Sequence, residues 1–459
     1  MKILIVKLGA LGDVVRTMPL AKAMKKKFPD AKIHWVTKER CVDFLETSKY
    51  IDKIFTTTFE SEEEYDKLYN FDFDKEATEI ASRIKAKEKF GFYHEEDFPA
   101  AFNLGSEYYV NTIFDDSLKK ENRKTYQEMM FEAAELDYDK EHAEIELTEE
   151  DKNYAKNFFE KNNLGDKKII GVHMGASSRW PSKVWAEEKL KQFIEKVKER
   201  GYDLILFGGP NEVEKHDFLI KELKEKNIDV KRNDPNNTAR EFAAIVEKCD
   251  VMVCSDSFSL HVSLAMKKPT IGLFFCTTPH EVEDYGLLKK IVSTKFEEFF
   301  PEKMDQYDEE LINSISVEEV FDAIESIGKI KVVNAIVKNK EDKFLIIKRK
   351  SLDGIHPDKW AFPGGKVEKG ESEENALERE IKEEVGLDVK KILKKISEYN
   401  YERPGGMESE GKCYLIDVEN LEVVPGEDVA EWKWASVEEF EDLDHIEGLE
   451  EEAFSALLE

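Results

Sequence analysis

The chain has 459 residues, of which 41% are hydrophobic and 37% charged, and a formal net charge of −30. At roughly 100–200 residues per domain this corresponds to about three domains with ordinary packed cores, which excludes a disordered chain. An acidic surface of this size repels nucleic-acid backbones and anionic membranes at long range, so no nucleic-acid partner is expected, while local basic pockets for nucleotide phosphates stay open.

Residues 2–7 read as a short apolar strand, 8–12 as a Gly-containing turn, and 13–28 as a helix with Val14, Val15, Met18, Ala21 and Met24 on its apolar side and Pro19 as a point of kinking. Residues 32–36 form the next strand. This strand–turn–helix–strand opening is the pattern of a doubly wound parallel sheet. Residues 60–140 are highly charged with weak strand signals, and Asp72-Phe73-Asp74 within them reads as a solvated turn. A second α/β series follows, with strands expected at 169–173, 203–207, 251–254 and 270–274. Helices are expected at 183–200, 212–226, 239–248 and 316–327, the last with Ser316 as N-cap. The pattern then changes. Residues 331–337 and 344–347 read as the strands of a hairpin, with further strands at 411–417 and 432–435. The expected domains are residues 1–145, 146–328 and 329–459.

The five cysteines, Cys41, Cys249, Cys254, Cys276 and Cys413, are odd in number, scattered and without a CxxC pair. That fits a reducing cytoplasm. The N-terminal apolar run is too short for a leader, and no apolar stretch approaches the ~20 residues of a membrane span. A cytoplasmic location is expected, with at most a peripheral contact at the inner face of the membrane.

The segment Gly365-Lys366-Val367-Glu368-Lys369-Gly370-Glu371, seven further residues, then Arg379-Glu380-Ile381-Lys382-Glu383-Glu384-Val385-Gly386-Leu387, carries the clearest chemistry. Ser372 and Gly386 suit the N-cap and C-terminal glycine of a helix. On that helix Glu380, Glu383 and Glu384 fall within an arc of about 100°, beside an apolar stripe of Leu377, Ile381 and Val385, with Lys382 pointing away. Three carboxylates on one patch repel, and a bound Mg²⁺ or Mn²⁺ removes that penalty. A Glu-rich helix alone proves nothing in so charged a chain. Seven specified positions at fixed offsets coincide by chance with a probability on the order of 10⁻⁷ per start point.

This segment resembles the Nudix box at each defining position, and the resemblance covers about residues 330–459. It implies an α/β/α sandwich that hydrolyses a nucleoside diphosphate derivative with Mg²⁺ or Mn²⁺. By position Glu380, Glu383, Glu384 and the carbonyl of Gly365 resemble the metal ligands. Glu383 or Glu384 resembles the water-activating group, and Arg379 the catalytic-site arginine that pairs with Glu371. Glu431 resembles a second acidic residue near the metal, and Arg349 is a candidate phosphate contact. Asp358-Lys359-Trp360-Ala361-Phe362-Pro363-Gly364 resembles the strand entering the box, in which Trp360 and Phe362 read as core residues or as stacking partners for a base.

In the first half Asp13 reads either as a helix N-cap or as a base at the carboxyl end of a strand. Three later segments each end a strand in small or polar residues: His173-Met174-Gly175-Ala176-Ser177-Ser178-Arg179-Trp180-Pro181-Ser182-Lys183, Gly208-Gly209-Pro210-Asn211-Glu212, and Ser255-Asp256-Ser257-Phe258-Ser259-Leu260-His261. The first suits a pyrophosphate, with free amides, hydroxyls and cations. In this order the segments resemble glycosyltransferase family 9, the heptosyltransferase-like family, over about residues 1–328. The resemblance implies a GT-B fold of two Rossmann-like domains and inverting transfer without a metal. The donor it implies is a nucleoside diphosphate sugar, an ADP-sugar by family, and the acceptor a glycan or lipid-linked hydroxyl. Asp13 then resembles the general base. Ser177, Ser178, Arg179, Lys183, Glu212, Asp256, Ser257 and His261 resemble donor-binding residues. Phe258 departs from the family glycine and Arg179 from the family lysine. The alternative is therefore a Nudix hydrolase whose first half is a non-catalytic nucleotide-sugar-binding or scaffold module. Nothing in the sequence supports a metal between His173 and His261.

Overall fold

A computed structural model describes the chain except residues 97, 176–178, 328, 351–358, 369–370, 403–407, 427, 441 and 459. It divides into two compact units, Met1–Ile327 and Gly328–Glu459.

The first unit holds two six-stranded sheets. In one, β1 (Lys2–Val6), β2 (Lys32–Val36), β3 (Lys53–Phe55), β4 (Tyr65–Asn70), β5 (Ala86–Glu95) and β6 (Phe98–Ala101) lie in the order β3-β2-β1-β4-β5-β6. All neighbours are parallel except β5 and β6. In the other, β7 (Ile169–His173), β8 (Asp203–Phe207), β9 (Lys231–Arg232), β10 (Val251–Ser255), β11 (Thr270–Phe274) and β12 (Leu288–Val292) lie in the order β12-β11-β10-β7-β8-β9, all parallel. Parallel strands covered on both faces bury every side chain, which is why Ile3–Val6 and Ile169–His173 read as continuous apolar runs. In each sheet the order in which strands are added reverses at the central pair, β1/β4 and β7/β10. Loops leave opposite faces there and open a crevice at the carboxyl ends.

Several expectations are corrected. The first helix is two, Leu11–Thr17 and Pro19–Lys27, because Pro19 begins a new helix at its first position. Asp13 is the third residue of the former and not its N-cap, which is Ala10. The helix expected from 183 starts at Glu187 and leaves Lys183 in the preceding loop. Asp72 is no solvated turn residue: it follows β4, is buried, and accepts from the amides of Leu8 and Gly9 at 3.0 and 2.6 Å. Strand signals there were weak because charged residues such as Lys67 and Glu88 pair across β4 and β5 at 2.8 Å. Ser316 caps the helix Val317–Ser326 through the Glu319 amide.

One apolar core runs through both sheets of this unit, joining Ile3 and Ile5 to Phe242, Cys254 and Leu260. Phe258 seals it, its ring 5.8 Å from that of Phe44 and 5.2 Å from that of Phe242. Arg240 adds a polar tie, donating to the Asp43 carbonyl at 2.6 Å and to Asp151 at 3.0 Å.

The second unit stacks a four-stranded and a three-stranded sheet. Its strands are β13 (Lys329–Val337), β14 (Phe344–Arg349), β15 (Trp360–Ala361), β16 (Gly364–Lys366), β17 (Val389–Glu402), β18 (Glu408–Val418) and β19 (Val429–Ala435), in the orders β16-β13-β18-β17 and β15-β14-β19. The hairpin expected between β13 and β14 does not form. The two strands enter different sheets and share only the bridge Lys338–Phe344. The reason is alternation along β14. Leu345 and Ile347 pack under the box helix Glu373–Val385, while Phe344 and Ile346 pack with the helix Leu449–Leu457 on the other side. The result is an α/β/α sandwich. Trp360 and Phe362 are buried in that second core. No helix among the described residues is long and apolar enough to cross a membrane.

Candidate functional site

Two sites emerge, one in each unit. In the first, the loops after β1, β7, β10 and β11 line a cleft of about 860 Å³. Asp13 lies on its wall with Arg16, one helical turn away. The Arg16 guanidinium donates to Asp13 Oδ1 from Nε at 3.1 Å, lies 2.9 Å from it at Nη2, and stacks 3.8 Å over the Tyr126 ring. Burial works to raise the Asp13 pKa, but Arg16, Lys7 and His261 outweigh it and hold the carboxyl well below its usual range. Lys7 is buried under the same loop, with Nζ donating to the Phe71 carbonyl at 2.8 Å and lying 3.7 Å from Asp72. Gly12 is required for packing, because a Cβ there would meet Cδ2 of His261 at 2.8 Å.

Across the cleft Lys183 and Asp256 form an ion pair at 2.8 Å, and Thr277 donates to Asp256 at 2.7 Å. Burial opposes the Asp256 charge, while Lys183 and His261 hold its pKa at about 2. His261 is pushed down to about 4 by burial first and then by Arg16, so it is neutral at neutral pH. His173 is pushed down to about 4 by burial and by His216. Its Nδ1 lies 3.3 Å from the Ser257 hydroxyl. Glu212 turns its carboxylate onto the Gly209 amide at 2.9 Å, at the cleft edge. Arg179 lies on the same lining, its guanidinium 4.7 Å over the Trp180 ring. Ser177 and Ser178 lie outside the described residues. Asp13, Arg179, Lys183, Glu212, Asp256, Ser257 and His261 thus share one cleft, and so do His173 and His261. Phe258 also lines it, but its ring is engaged by Phe44 and Phe242 in the core.

Sequence reasoning missed Lys7, Arg16, Asp72, Thr277 and Glu281. Arg16 carried a usable signal, its i,i+3 spacing from Asp13. The other four come from three loops, those after β1, β4 and β11, and no local pattern marks them.

In the second unit Ser372 caps the box helix through the Asn375 amide, and Gly386 ends it at φ 70°. Leu377, Ile381 and Val385 are fully buried. Arg379 donates to Glu371 at 3.0 Å from both Nε and Nη2, to Glu380 at 2.9 Å, and to Glu383 at 3.3 Å. Lys382 turns away to Asp388 at 2.7 Å. Glu384 is buried and accepts from the Gly364 amide at 2.8 Å. Glu380 rests against Gly365, where a Cβ would lie 2.3 Å from its carboxylate. Two carboxylates therefore converge on one glycine pair, with the exposed Glu383 a turn away. Such oxygen donors fit a hard divalent cation. No group of three metal-ligating side chains is pre-assembled among the described residues. Glu431 is exposed on β19 and lies 3.5 Å from Lys348. The Arg349 side chain and Gly370 lie outside the described residues.

The paired α/β sheets with a crevice at both direction switches define a GT-B fold, followed by a Nudix sandwich. The sequence profile of Glycosyltransferase family 9 (heptosyltransferase) matches residues 61–310, and that of the NUDIX domain matches residues 328–455. The chain belongs to glycosyltransferase family 9 and carries a NUDIX domain, which makes it an enzyme with glycosyltransferase and Nudix pyrophosphohydrolase parts. It is 23% identical over 345 residues to lipopolysaccharide heptosyltransferase 1 of Campylobacter coli, covering 64% of this chain and 92% of that protein. It is 46% identical over 66 residues to an RNA pyrophosphohydrolase of Campylobacter jejuni subsp. doylei, covering 14% of this chain and 40% of that protein. In fold it is similar to a glycosyl transferase family 9 structure from Veillonella parvula, at TM-score 0.56 and 18% identity, over 71% of this chain and 96% of that one. It is likewise similar to the E. coli ADP-heptose lps heptosyltransferase II, at TM-score 0.54 and 16% identity, over 71% of this chain and 98% of that one.

Proposed function

We propose that the first unit transfers a heptose or similar sugar, with inversion and without a metal, from a nucleoside diphosphate donor to a hydroxyl of a glycan or lipid-linked acceptor. An ADP-sugar is the favoured donor, since two of the relatives are heptosyltransferases and one of these is named as an ADP-heptose enzyme. The observation that carries the reading is the pairing of Asp13 on one wall with the Lys183–Asp256 pair on the other. Asp13 accepts the proton of the acceptor hydroxyl while its oxygen bonds to the anomeric carbon. The bond from that carbon to the diphosphate oxygen breaks, and the electron pair leaves with the diphosphate. Lys183, Arg179 and the segment 176–178 supply the positive charge and donors for that leaving group. Glu212 holds the ribose. Clamped by Arg16, Asp13 is a weak base at rest, so the acceptor must compete for Arg16 before the proton moves.

The second unit hydrolyses a phosphoanhydride. Glu380, Glu383, Glu384 and the Gly365 carbonyl would hold Mg²⁺ or Mn²⁺, and the chemistry such an ion would supply is polarisation of a phosphoryl oxygen and acidification of water. Arg379 keeps these carboxylates apart and Glu371 keeps Arg379 in place. The fusion makes the donor sugar nucleotide, or a by-product of it, the first substrate to test. A second reading, hydrolysis at RNA 5′ ends, is favoured by the 46% identity to an RNA pyrophosphohydrolase over 66 residues. It is opposed by the net charge of −30. Wild type, Asp13→Ala and Glu383→Gln are incubated with ADP-, GDP- and UDP-sugars and with 5′-triphosphate RNA. Cleavage of a sugar nucleotide that is lost only in Glu383→Gln supports coupling. Cleavage of RNA alone ends it.

A further inference from the structure

The loop after β11 carries Glu281 to the cleft lining. Its backbone is anchored, the Glu281 carbonyl accepting from the Tyr126 amide at 2.9 Å. Its side chain is not. Among the described residues no group hydrogen-bonds to the Glu281 carboxylate, and the charges around it include those of Arg16, Lys119, Asp256 and Asp13. Burial pushes its pKa up. Arg16 is already engaged by Asp13, and Lys119 lies 5.9 Å over the Phe300 ring.

A half-buried carboxylate on a cleft wall, with no donor among the described residues, has both oxygens open to the donors of a ligand. A phosphate has no donors to give and repels the charge. A sugar has hydroxyls, and each can donate to one of the two carboxylate oxygens. Position selects which sugar. Glu281 shares the cleft lining with Asp13, the candidate base, and with the Lys183–Asp256 pair assigned to the diphosphate. The sugar in transit must lie between those two.

We propose that Glu281 is a sugar-recognition residue that accepts hydrogen bonds from hydroxyls of the transferred sugar. This rests on the donor reading given above. It makes Glu281 the group that distinguishes a sugar nucleotide from the bare nucleotide, a task that phosphate and ribose contacts cannot perform.

The test is calorimetry on the full chain with ADP and with ADP-heptose, in buffer with chelator so that the second unit leaves the ligand intact. Glu281→Ala is expected to weaken ADP-heptose binding about ten- to hundredfold, the range for hydrogen bonds to a charged group, and to leave ADP within about twofold. Glu281→Gln, which keeps an acceptor oxygen without the charge, is expected to fall between. Equal loss for ADP and ADP-heptose would mean a structural role and overturn the inference. So would ADP-heptose binding unchanged in Glu281→Ala. A wild type that binds neither ligand overturns the donor reading and this inference together.

Discussion

The two sites of this protein are built in opposite ways. In the C-terminal unit nearly all of the site comes from one strand, one loop and one helix between Gly364 and Val385. In the N-terminal unit Asp13 comes from the helix after β1 and Lys183, Asp256 and Glu281 from three loops of the other sheet, up to 268 residues apart in sequence. A local site is legible as a motif, because helix geometry alone brings its carboxylates together. A distributed site depends on a core that holds two sheets in register. The Phe44–Phe258–Phe242 packing and the Arg240 tie to Asp43 and Asp151 belong to that core.

The largest expected effects separate the two chemistries. Asp13→Ala should lower sugar transfer about 10²–10⁴-fold, the range for losing a general base, and leave phosphoanhydride hydrolysis unchanged. Glu383→Gln, or a chelator, should abolish hydrolysis and spare transfer. Product analysis by mass spectrometry reads both, and loss of both activities in either variant breaks the separation. Next is Arg16→Ala. Arg16 holds the Asp13 pKa down, so its removal should raise that pKa and move the acid limb of the transfer pH profile to higher pH. An unmoved limb with reduced kcat would leave Arg16 a merely structural role.

A smaller effect concerns stability. His173 and His216 have folded pKa values of about 4, against 6.5 when unfolded. The unfolded state therefore binds more protons between those values. Stability is full above about pH 6.5, falls as pH drops toward 4, and the loss from these two groups amounts to a few kcal/mol. Thermal melts across that window, with His216→Gln as the comparison, check it. A melting temperature with the same pH slope in the variant would remove His216 from the account. Smallest is Ser372→Ala, which removes the N-cap of the box helix and should cost about 1 kcal/mol by denaturant titration.

Much of the fold was legible because buried parallel strands leave plain apolar runs. The expected strands at 169–173, 203–207 and 270–274 coincide with β7, β8 and β11. The failures share a cause in pairing. The ladder between β4 and β5 is written in charged side chains, and β17 sets the lysine pairs 390–391 and 394–395 between its apolar residues, so neither reads as an apolar run. The hairpin expectation for β13 and β14 failed because neighbours in sequence went to different sheets. Asp72 looked solvated because its partners are main-chain amides of the loop after β1, which have no side-chain signature.

What the sequence determined by itself is the chemistry held within one helical repeat: the box helix, its caps, its apolar stripe and its cluster of carboxylates. Backbone geometry at short range places those residues whatever surrounds them. What only the tertiary structure decided is the environment of each group: the Arg16 clamp that holds Asp13 ionised, the histidines kept neutral by burial, and the Glu281 carboxylate that meets no donor among the described residues. Burial and long-range contacts set these properties, and they exist only once the two sheets have packed.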